Sequence, residues 1–178
     1  VAATISVIIP TLNAAGRIDL LLAALQNQTR PPDEIILVDS GSRDATVELA
    51  RIYRCQFCRI APEAFTHGKA RNLGARAAAG DILVFMTQDA MPVQADFLAK
   101  LIAPLAGDDP AAAAYARQLA KKEASPLEEF DRLFNYPDSC MRKTLADLPQ
   151  LGIKTFFFSN VASACRRLEF EAMNGFSE

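Results

Sequence analysis

An excess of basic charge is missing from this chain: 19 Lys and Arg stand against 21 Asp and Glu, a formal net charge of −2. Without a basic stripe, nucleic acid is excluded as a main partner. Long apolar runs are missing too, and none reaches membrane-spanning length. The N-terminus enters a strand directly, with no secretory leader, so the expected location is cytoplasmic, with the inner face of a membrane as an option. Val1 in place of Met points to a piece excised from a longer chain.

Several signatures are also absent. No G-x-G-x-x-G follows the first expected strand, which argues against a dinucleotide oxidoreductase. Gly68-Lys69 is followed by Ala70, so the P-loop pattern is not completed and a P-loop NTPase is excluded. No G-x-S-x-G elbow marks a hydrolase. His67 is the sole histidine, and the 4 cysteines are Cys55, Cys58, Cys140 and Cys165. Cys55-x-x-Cys58 has zinc or redox spacing, but a four-ligand site would need widely scattered partners. Free thiols of a cytosolic protein are the favoured reading.

What is present suits one globular domain. At 178 residues, with 51% apolar and 22% charged residues, the chain can bury a sizeable core. Its organising stretch is Asp81 to Pro92. Ile82 to Met86 is apolar without a break, as in a strand covered on both faces of a parallel sheet. The run ends in Thr87-Gln88-Asp89, and Pro92 stops any further strand. The strand pattern alone favours Asp89 as a cap of the turn to the next helix over a metal-holding carboxylate.

Around that stretch, strands and helices alternate. Thr4 to Pro10 reads as a strand, then residues 14–28 as a helix with Ile18, Leu21, Leu22 and Leu25 on one face. Glu34 to Val38 is a second strand, followed by a helix that Ser42 or Asp44 can cap. Residues 55–61 form a weaker third strand, and Thr66 to Ala79 a helix that Gly80 ends. A helix over 94–105 turns Phe97, Leu98, Leu101 and Ile102 inward. This alternation predicts right-handed βαβ units and an α/β fold with a mainly parallel sheet. After Asp109-Pro110 the pattern changes. Residues 111–119 read as strand or helix, and 125–136 as a helix with Leu127, Phe130, Leu133 and Phe134 on one face. Thr155 to Phe158 reads as a strand with its phenylalanines in the core, Val161 to Cys165 as another, and 167–173 as a helix. Lys121, Lys122, Arg142 and Lys143 are expected on solvated faces, or as a basic patch against a membrane carrying a lipid-linked acceptor.

In a parallel sheet the carboxyl ends of the strands share one edge, so Thr11, Asp39 and Asp89 can converge on one crevice. Lys69, Arg71 and Arg76 lie on a helix near it. Acids that hold a base, a ribose or a metal, beside a cation and a helix start that hold phosphate, point to a nucleotide.

The series Val7-Ile8-Ile9-Pro10-Thr11-Leu12-Asn13, Ile36-Leu37-Val38-Asp39-Ser40-Gly41-Ser42-Arg43-Asp44, Gly68-Lys69-Ala70-Arg71-Asn72-Leu73-Gly74 and Thr87-Gln88-Asp89-Ala90 resembles family 2 glycosyltransferases of the GT-A fold. The Thr-Gln-Asp-Ala version, with a histidine before the Gly-x-x-Arg-Asn block, is most similar to bacterial rhamnosyltransferases. The resemblance implies a single GT-A core over 1–178, with a donor nucleotide-binding half at 1–107 and an acceptor-side half at 108–178. It implies that Pro10 and Thr11 line the nucleobase and ribose pocket and that Asp39 hydrogen-bonds the pyrimidine. His67, Arg71, Asn72 and Gln88 join the donor site, and Asp89 binds Mg²⁺ or Mn²⁺ on the donor diphosphate. Ser159 and Asn160 match the acceptor-side segment. The implied donor is TDP-rhamnose or a UDP-sugar, and the acceptor a saccharide or a lipid-linked sugar, with peripheral membrane association as a corollary.

The chain departs from the family pattern in two ways. Thr87 and Gln88 stand where acids are common, leaving Asp89 as the lone carboxylate. The block Gly175-Phe176-Ser177-Glu178 closes the chain, whereas in the family a Glu-Asp pair follows it and supplies the catalytic base, so the base is expected beyond Glu178. The rival readings are a nucleotide-sugar- or partner-binding module without transferase activity, and a nucleotidyltransferase.

Overall fold

The computed structural model describes residues 3–121 and 123–178; Val1, Ala2 and Lys122 fall outside them. The strands are β1 (Ile5–Thr11), β2 (Glu34–Asp39), β3 (Gln56–Arg59), β4 (Ile82–Met86), β5 (Ala113–Tyr115) and β6 (Ala162–Arg166). The helices are α1 (Ala15–Gln26), α2 (Thr46–Ile52), α3 (His67–Ala77), α4 (Phe97–Ile102), α5 (Pro126–Asn135), α6 (Leu148–Leu151) and α7 (Arg167–Ala172). One sheet runs in the order β3-β2-β1-β4-β6-β5. β1 to β4 are parallel, while β6 is antiparallel to both its neighbours. The α/β class and mostly parallel sheet agree with the sequence reading.

β1, β2 and β4 are covered on both faces because their side chains are apolar in both directions. On one face Val7, Ile9, Leu37, Val84 and Met86 pack against Ile18, Leu21, Leu22 and Leu25 of α1 and Leu98 and Leu101 of α4. On the other, Ile8, Ile36, Val38, Leu83 and Phe85 pack beneath Ala70 and Ala75 of α3 and Phe170 of α7. The closest approach is at Gly74, where an added Cβ would collide with Ile8 Cγ2 and lie 3.0 Å from Val38 Cγ2. Arg167 caps the carboxyl end of α3, donating to the carbonyls of Gly80 (2.8 Å), Ala78 (2.9 Å) and Ala75 (3.4 Å).

The amino edge of the sheet is sealed by carboxylates. Asp33 accepts from the Ile5 amide at 2.8 Å and from Arg30 at 2.9 Å, and Asp81 from the Thr4 amide and hydroxyl, each at 2.9 Å. Glu34 bridges Ser6, Ala79 and Gln56.

Four expectations are corrected. Thr155 to Phe158 is not a strand: a 3₁₀ turn over Gly152–Phe156 leads into irregular backbone. Lys143 Nζ takes the carbonyls of Phe157 (2.6 Å) and Lys154 (3.1 Å), so no neighbouring strand can. Nor are the phenylalanines core, since Phe156 is 58% and Phe158 42% exposed. Gly80 does not cap α3 through a left-handed turn; the helix stops at Ala78, and Gly80 is small because its amide meets Ser6 Oγ at 2.8 Å. α5 forms as its spacing requires, and its apolar row is exposed, with Leu127, Phe130, Leu133 and Phe134 all more than half accessible. Finally, Arg142 pairs with Asp109 and Lys143 turns inward, so these two do not form a basic patch.

Gly74→Ala is expected to lower stability by about 1–3 kcal/mol, read from urea unfolding, because neither the α3 backbone nor the strand side chains can give way. Acid should also weaken the fold. The Ile5 amide, and then Arg30, hold the Asp33 carboxyl below its ordinary value, as the Thr4 groups do for Asp81. A carboxyl depressed in the folded state stabilises fully above its unfolded value and loses this as pH falls through the folded one. The urea midpoint should therefore drop below about pH 4, and less steeply in Asp33→Asn.

Candidate functional site

β2 lies on one side of β1 and β4 on the other, so the chain direction across the sheet reverses between β1 and β4. Open α/β sheets bind ligands at the carboxyl ends of strands beside such a switch. A cleft of about 680 Å³ opens there. Its floor is Pro10 and Thr11 at the end of β1 and Thr87, Gln88 and Asp89 after β4; its rim is Leu12 to Ala14, Gly16 and Arg17; its far wall is Pro62, Phe65, His67 and Arg71.

The rim is held by crossed hydrogen bonds between the loops after β1 and β2. The amides of Asn13, Ala14 and Ala15 donate to Ser42 Oγ (2.8 Å), Thr46 Oγ1 (2.8 Å) and Asp44 Oδ2 (2.9 Å). In return Asn13 Oδ1 accepts from the Arg43 amide at 2.9 Å, with Asn13 itself in the left-handed region at φ 49°. The start of α1 is thereby satisfied internally and does not present these N–H groups to an anion. Asp44 is thus a tie between loops, and its Oδ1 also accepts from the Thr46 amide at 3.0 Å, so it satisfies the first N–H of α2 although the residue directly before the helix is Ala45.

Asp39 does not line the cleft. It is 3% exposed, and its carboxylate accepts from the amides of Gly41 and Ser42 (each 2.9 Å) and from the hydroxyls of Ser42 and Thr11. The expected nucleobase contact thus meets a carboxylate already committed to its own loop, while the next residue, Ser40, faces the cleft.

Gln88 is committed as well. Its Oε1 accepts from the Leu12 amide at 2.8 Å and its Nε2 donates to the Leu12 carbonyl at 3.2 Å, so one amide pairs with both backbone groups of one residue. Asp89 is exposed and, among the described residues, makes no side-chain hydrogen bond, so it caps nothing. Thr87 Oγ1 is buried without a partner. No group of three or more His, Cys, Asp and Glu among the described residues could cage a metal. A free carboxylate at Asp89 fits instead a Mg²⁺ or Mn²⁺ that draws its other ligands from water and from phosphates.

Arg71 supplies the positive charge. It is 7% exposed, and its guanidinium donates only to the carbonyls of His67 (3.3 Å) and Asn160 (3.4 Å). Its Nε has no partner, and no carboxylate pairs with it among the described residues. Burial lowers its pKa, but a guanidinium stays charged. The ring of Phe176 lies 5.7 Å below it. His67, the first residue of α3, stands edge-on to Phe65 at the cleft wall.

Asn72, Ser159 and Asn160 do not line the cleft. Asn72 faces the Gly175–Glu178 segment, and Ser159 is buried with Gln118 and Tyr136. Asn160 precedes β6 at the same sheet edge and reaches the site through its carbonyl on Arg71. Cys55 packs with the core on one face of the sheet and Cys58 with that on the other, and burial raises both thiols, Cys55 to about 11. Phe65 and Arg17 went unread, since neither sits in a motif; Thr87 was within one and was read only as a missing acid.

This is an α/β domain with a ligand-sized cleft at the switch point of its sheet. Residues 6–170 match the family described as glycosyl transferase family 2, and the chain belongs to that family. It is 41% identical over 176 residues to the O-antigen chain rhamnosyltransferase RfbN of Salmonella typhimurium, covering 98% of this chain and 56% of that protein. It is 39% identical to the O-antigen chain rhamnosyltransferase WbaN of Salmonella anatum, covering 97% and 55%. The chain thus spans little more than half the length of these relatives. Among solved structures, a mannosyltransferase from Pyrobaculum calidifontis, in complex with GDP-Man and Mn²⁺, superposes with TM-score 0.67 at 25% identity, over 99% of this chain and 50% of that one. TarS of S. aureus shares the fold, with TM-score 0.69 at 21% identity over 96% and 49%. No described helix is long and apolar enough to cross a membrane.

Gln88→Glu keeps the acceptor for the Leu12 amide but sets a carboxylate against its carbonyl. It should cost roughly 1 kcal/mol. Amide exchange should quicken at Leu12 and not at Thr87, whose amide is held by the Val161 carbonyl at 3.0 Å.

Proposed function

We propose that this chain is the donor-binding core of an inverting glycosyltransferase that moves rhamnose from a nucleoside diphosphate, TDP-rhamnose or a related UDP-sugar, to a saccharide or lipid-linked acceptor. The observation that carries this reading is Arg71: a buried cation with no carboxylate partner among the described residues, at the wall of a cleft whose floor ends in the exposed Asp89. Burying a charge unpaired is unfavourable unless an anion arrives, and a diphosphate is such an anion. The names of the 41% and 39% identical relatives support rhamnose, and the Mn²⁺ and GDP-Man of the archaeal mannosyltransferase support a cation-assisted nucleotide sugar.

In this reading Pro10, Thr11 and Ser40 receive the nucleoside, Arg71 and His67 the diphosphate, and Asp89 the cation, which when bound neutralises charge on the departing diphosphate. Gln88 holds the floor in shape. Asn160 stands on the acceptor side, with residues 108–178 forming that half. The base that deprotonates the acceptor hydroxyl is assigned to an acid following the Gly175–Glu178 block in the longer protein. Contact with a membrane that carries the acceptor belongs to the same proposal, supported by the exposed apolar row of α5.

Calorimetric titration with TDP, UDP and GDP, with and without Mn²⁺, tests the reading. A pyrimidine diphosphate should bind more tightly with Mn²⁺, and Asp89→Asn should remove that gain. Arg71→Gln should weaken binding roughly 10- to 100-fold. Absence of binding by all three nucleotides, or an unchanged affinity in Arg71→Gln, would overturn it.

A further inference from the structure

α3 does more than offer Arg71 to the cleft. On the side turned away from it, Asn72 is 6% exposed and pairs with both backbone groups of one residue of the closing segment. Its Nδ2 donates to the Phe176 carbonyl at 2.9 Å while its Oδ1 accepts from the Phe176 amide at 2.9 Å. The same Nδ2 also donates to Glu178 Oε1 at 3.0 Å. Both partners are shaped for this. Gly175 sits at φ 74°, and a Cβ there would stand 2.6 Å from Asn72 Oδ1. One turn earlier on α3, a Cβ on Gly68 would overlap the Ser177 carbonyl. The Phe176 ring drops into an aromatic cluster with Phe85 (5.0 Å) and Phe170 (5.5 Å), and its face carries the Arg71 guanidinium.

We propose that Asn72 is a positioning residue: it latches the Gly175–Glu178 turn to α3, so that the acid following that turn is delivered to the sugar end of the cleft. This rests on the transferase reading above. Arg71 lies between the two functions, with its guanidinium on the cleft wall and Phe176 beneath it. The Gly-x-x-Arg-Asn block is then a two-sided element, Arg71 for the donor and Gly68 and Asn72 for the acceptor-side turn. The side chain of Asn72 touches neither donor nor acceptor; it acts through the backbone of Phe176.

The test compares Asn72→Ala with Gly175→Ala, which strikes the same latch from the turn and leaves α3 intact. Amide exchange at Phe176 should quicken about tenfold in both, with no further gain in the double variant. Nucleoside diphosphate affinity of this chain should stay within about twofold of wild type, unlike Arg71→Gln. In the full-length protein kcat should fall about 10- to 100-fold with donor KM held, because misplacing a base is a transition-state loss. Loss of nucleotide affinity in Asn72→Ala would make it a donor ligand and overturn the proposal, as would unchanged exchange at Phe176 or an unchanged kcat. If wild type binds no nucleoside diphosphate while Phe176 exchange still responds, the donor reading fails and the latch itself stands.

Discussion

The site depends on where the unpaired backbone N–H groups of one turn go. A chain leaving β1 for α1 exposes amides at Asn13, Ala14 and Ala15, and each must find an acceptor. Here the next βα loop provides all three, through Ser42, Thr46 and Asp44. That loop is in turn folded around Asp39, whose buried carboxylate gathers the Gly41 and Ser42 amides. Ser40 completes the tie by donating its amide and hydroxyl to the Thr11 carbonyl at 3.0 and 3.2 Å. The two loops form one hydrogen-bonded rim at the mouth of the cleft.

This arrangement has an electrostatic consequence. Many phosphate sites use the free amides of a helix start, and α1 has spent those named above. Positive charge must come from side chains, and the cleft wall has it in Arg71, with Arg17 at the rim. Arg71 is nearly buried and unpaired, an arrangement that stores unfavourable energy until an anion is present. Asp89 is its opposite: exposed, without a side-chain hydrogen-bond partner among the described residues, and too solitary to retain a cation by itself. A cation and a diphosphate therefore suit this cleft better together than either does alone.

The parallel strands β1, β2 and β4 were legible in the sequence because they are apolar runs joined by helical crossovers, whereas the strand order was not read. Ile18, Leu21, Leu22 and Leu25 face the core as their spacing requires, and each is at most 1% exposed. Reading failed where side chains, and not ladder hydrogen bonds, organise the backbone. Thr155 to Phe158 has strand composition, but Lys143 takes its carbonyls and Tyr115 packs edge-on against Phe157 and Phe158. α5 has helical periodicity, and periodicity alone does not say whether an apolar row is covered. The site residues read through their motif blocks fell on the right edge of the sheet, yet the residue type could not reveal which polar groups were already engaged. Asp39 and Gln88 were read as ligand contacts and are tied to the protein's own backbone. Asn72 was read beside the diphosphate and faces the opposite way.

Those engaged groups share a pattern that explains their chemistry. A primary amide carries a donor and an acceptor at the spacing of a peptide's own C=O and N–H, so it can pair with both groups of one residue as a strand would. Gln88 does this to Leu12 and Asn72 does it to Phe176. A carboxylate in either place would accept from the N–H and repel the carbonyl, and a shorter or apolar side chain would leave both unpaired. This accounts for Gln88 at a position where an acid would add negative charge: holding Leu12 in register with β4 requires an amide, and Asp89 is the one carboxylate in the Thr87–Asp89 run. One clamp ties the end of β4 to the loop after β1, and the other ties the Gly175–Glu178 turn to α3.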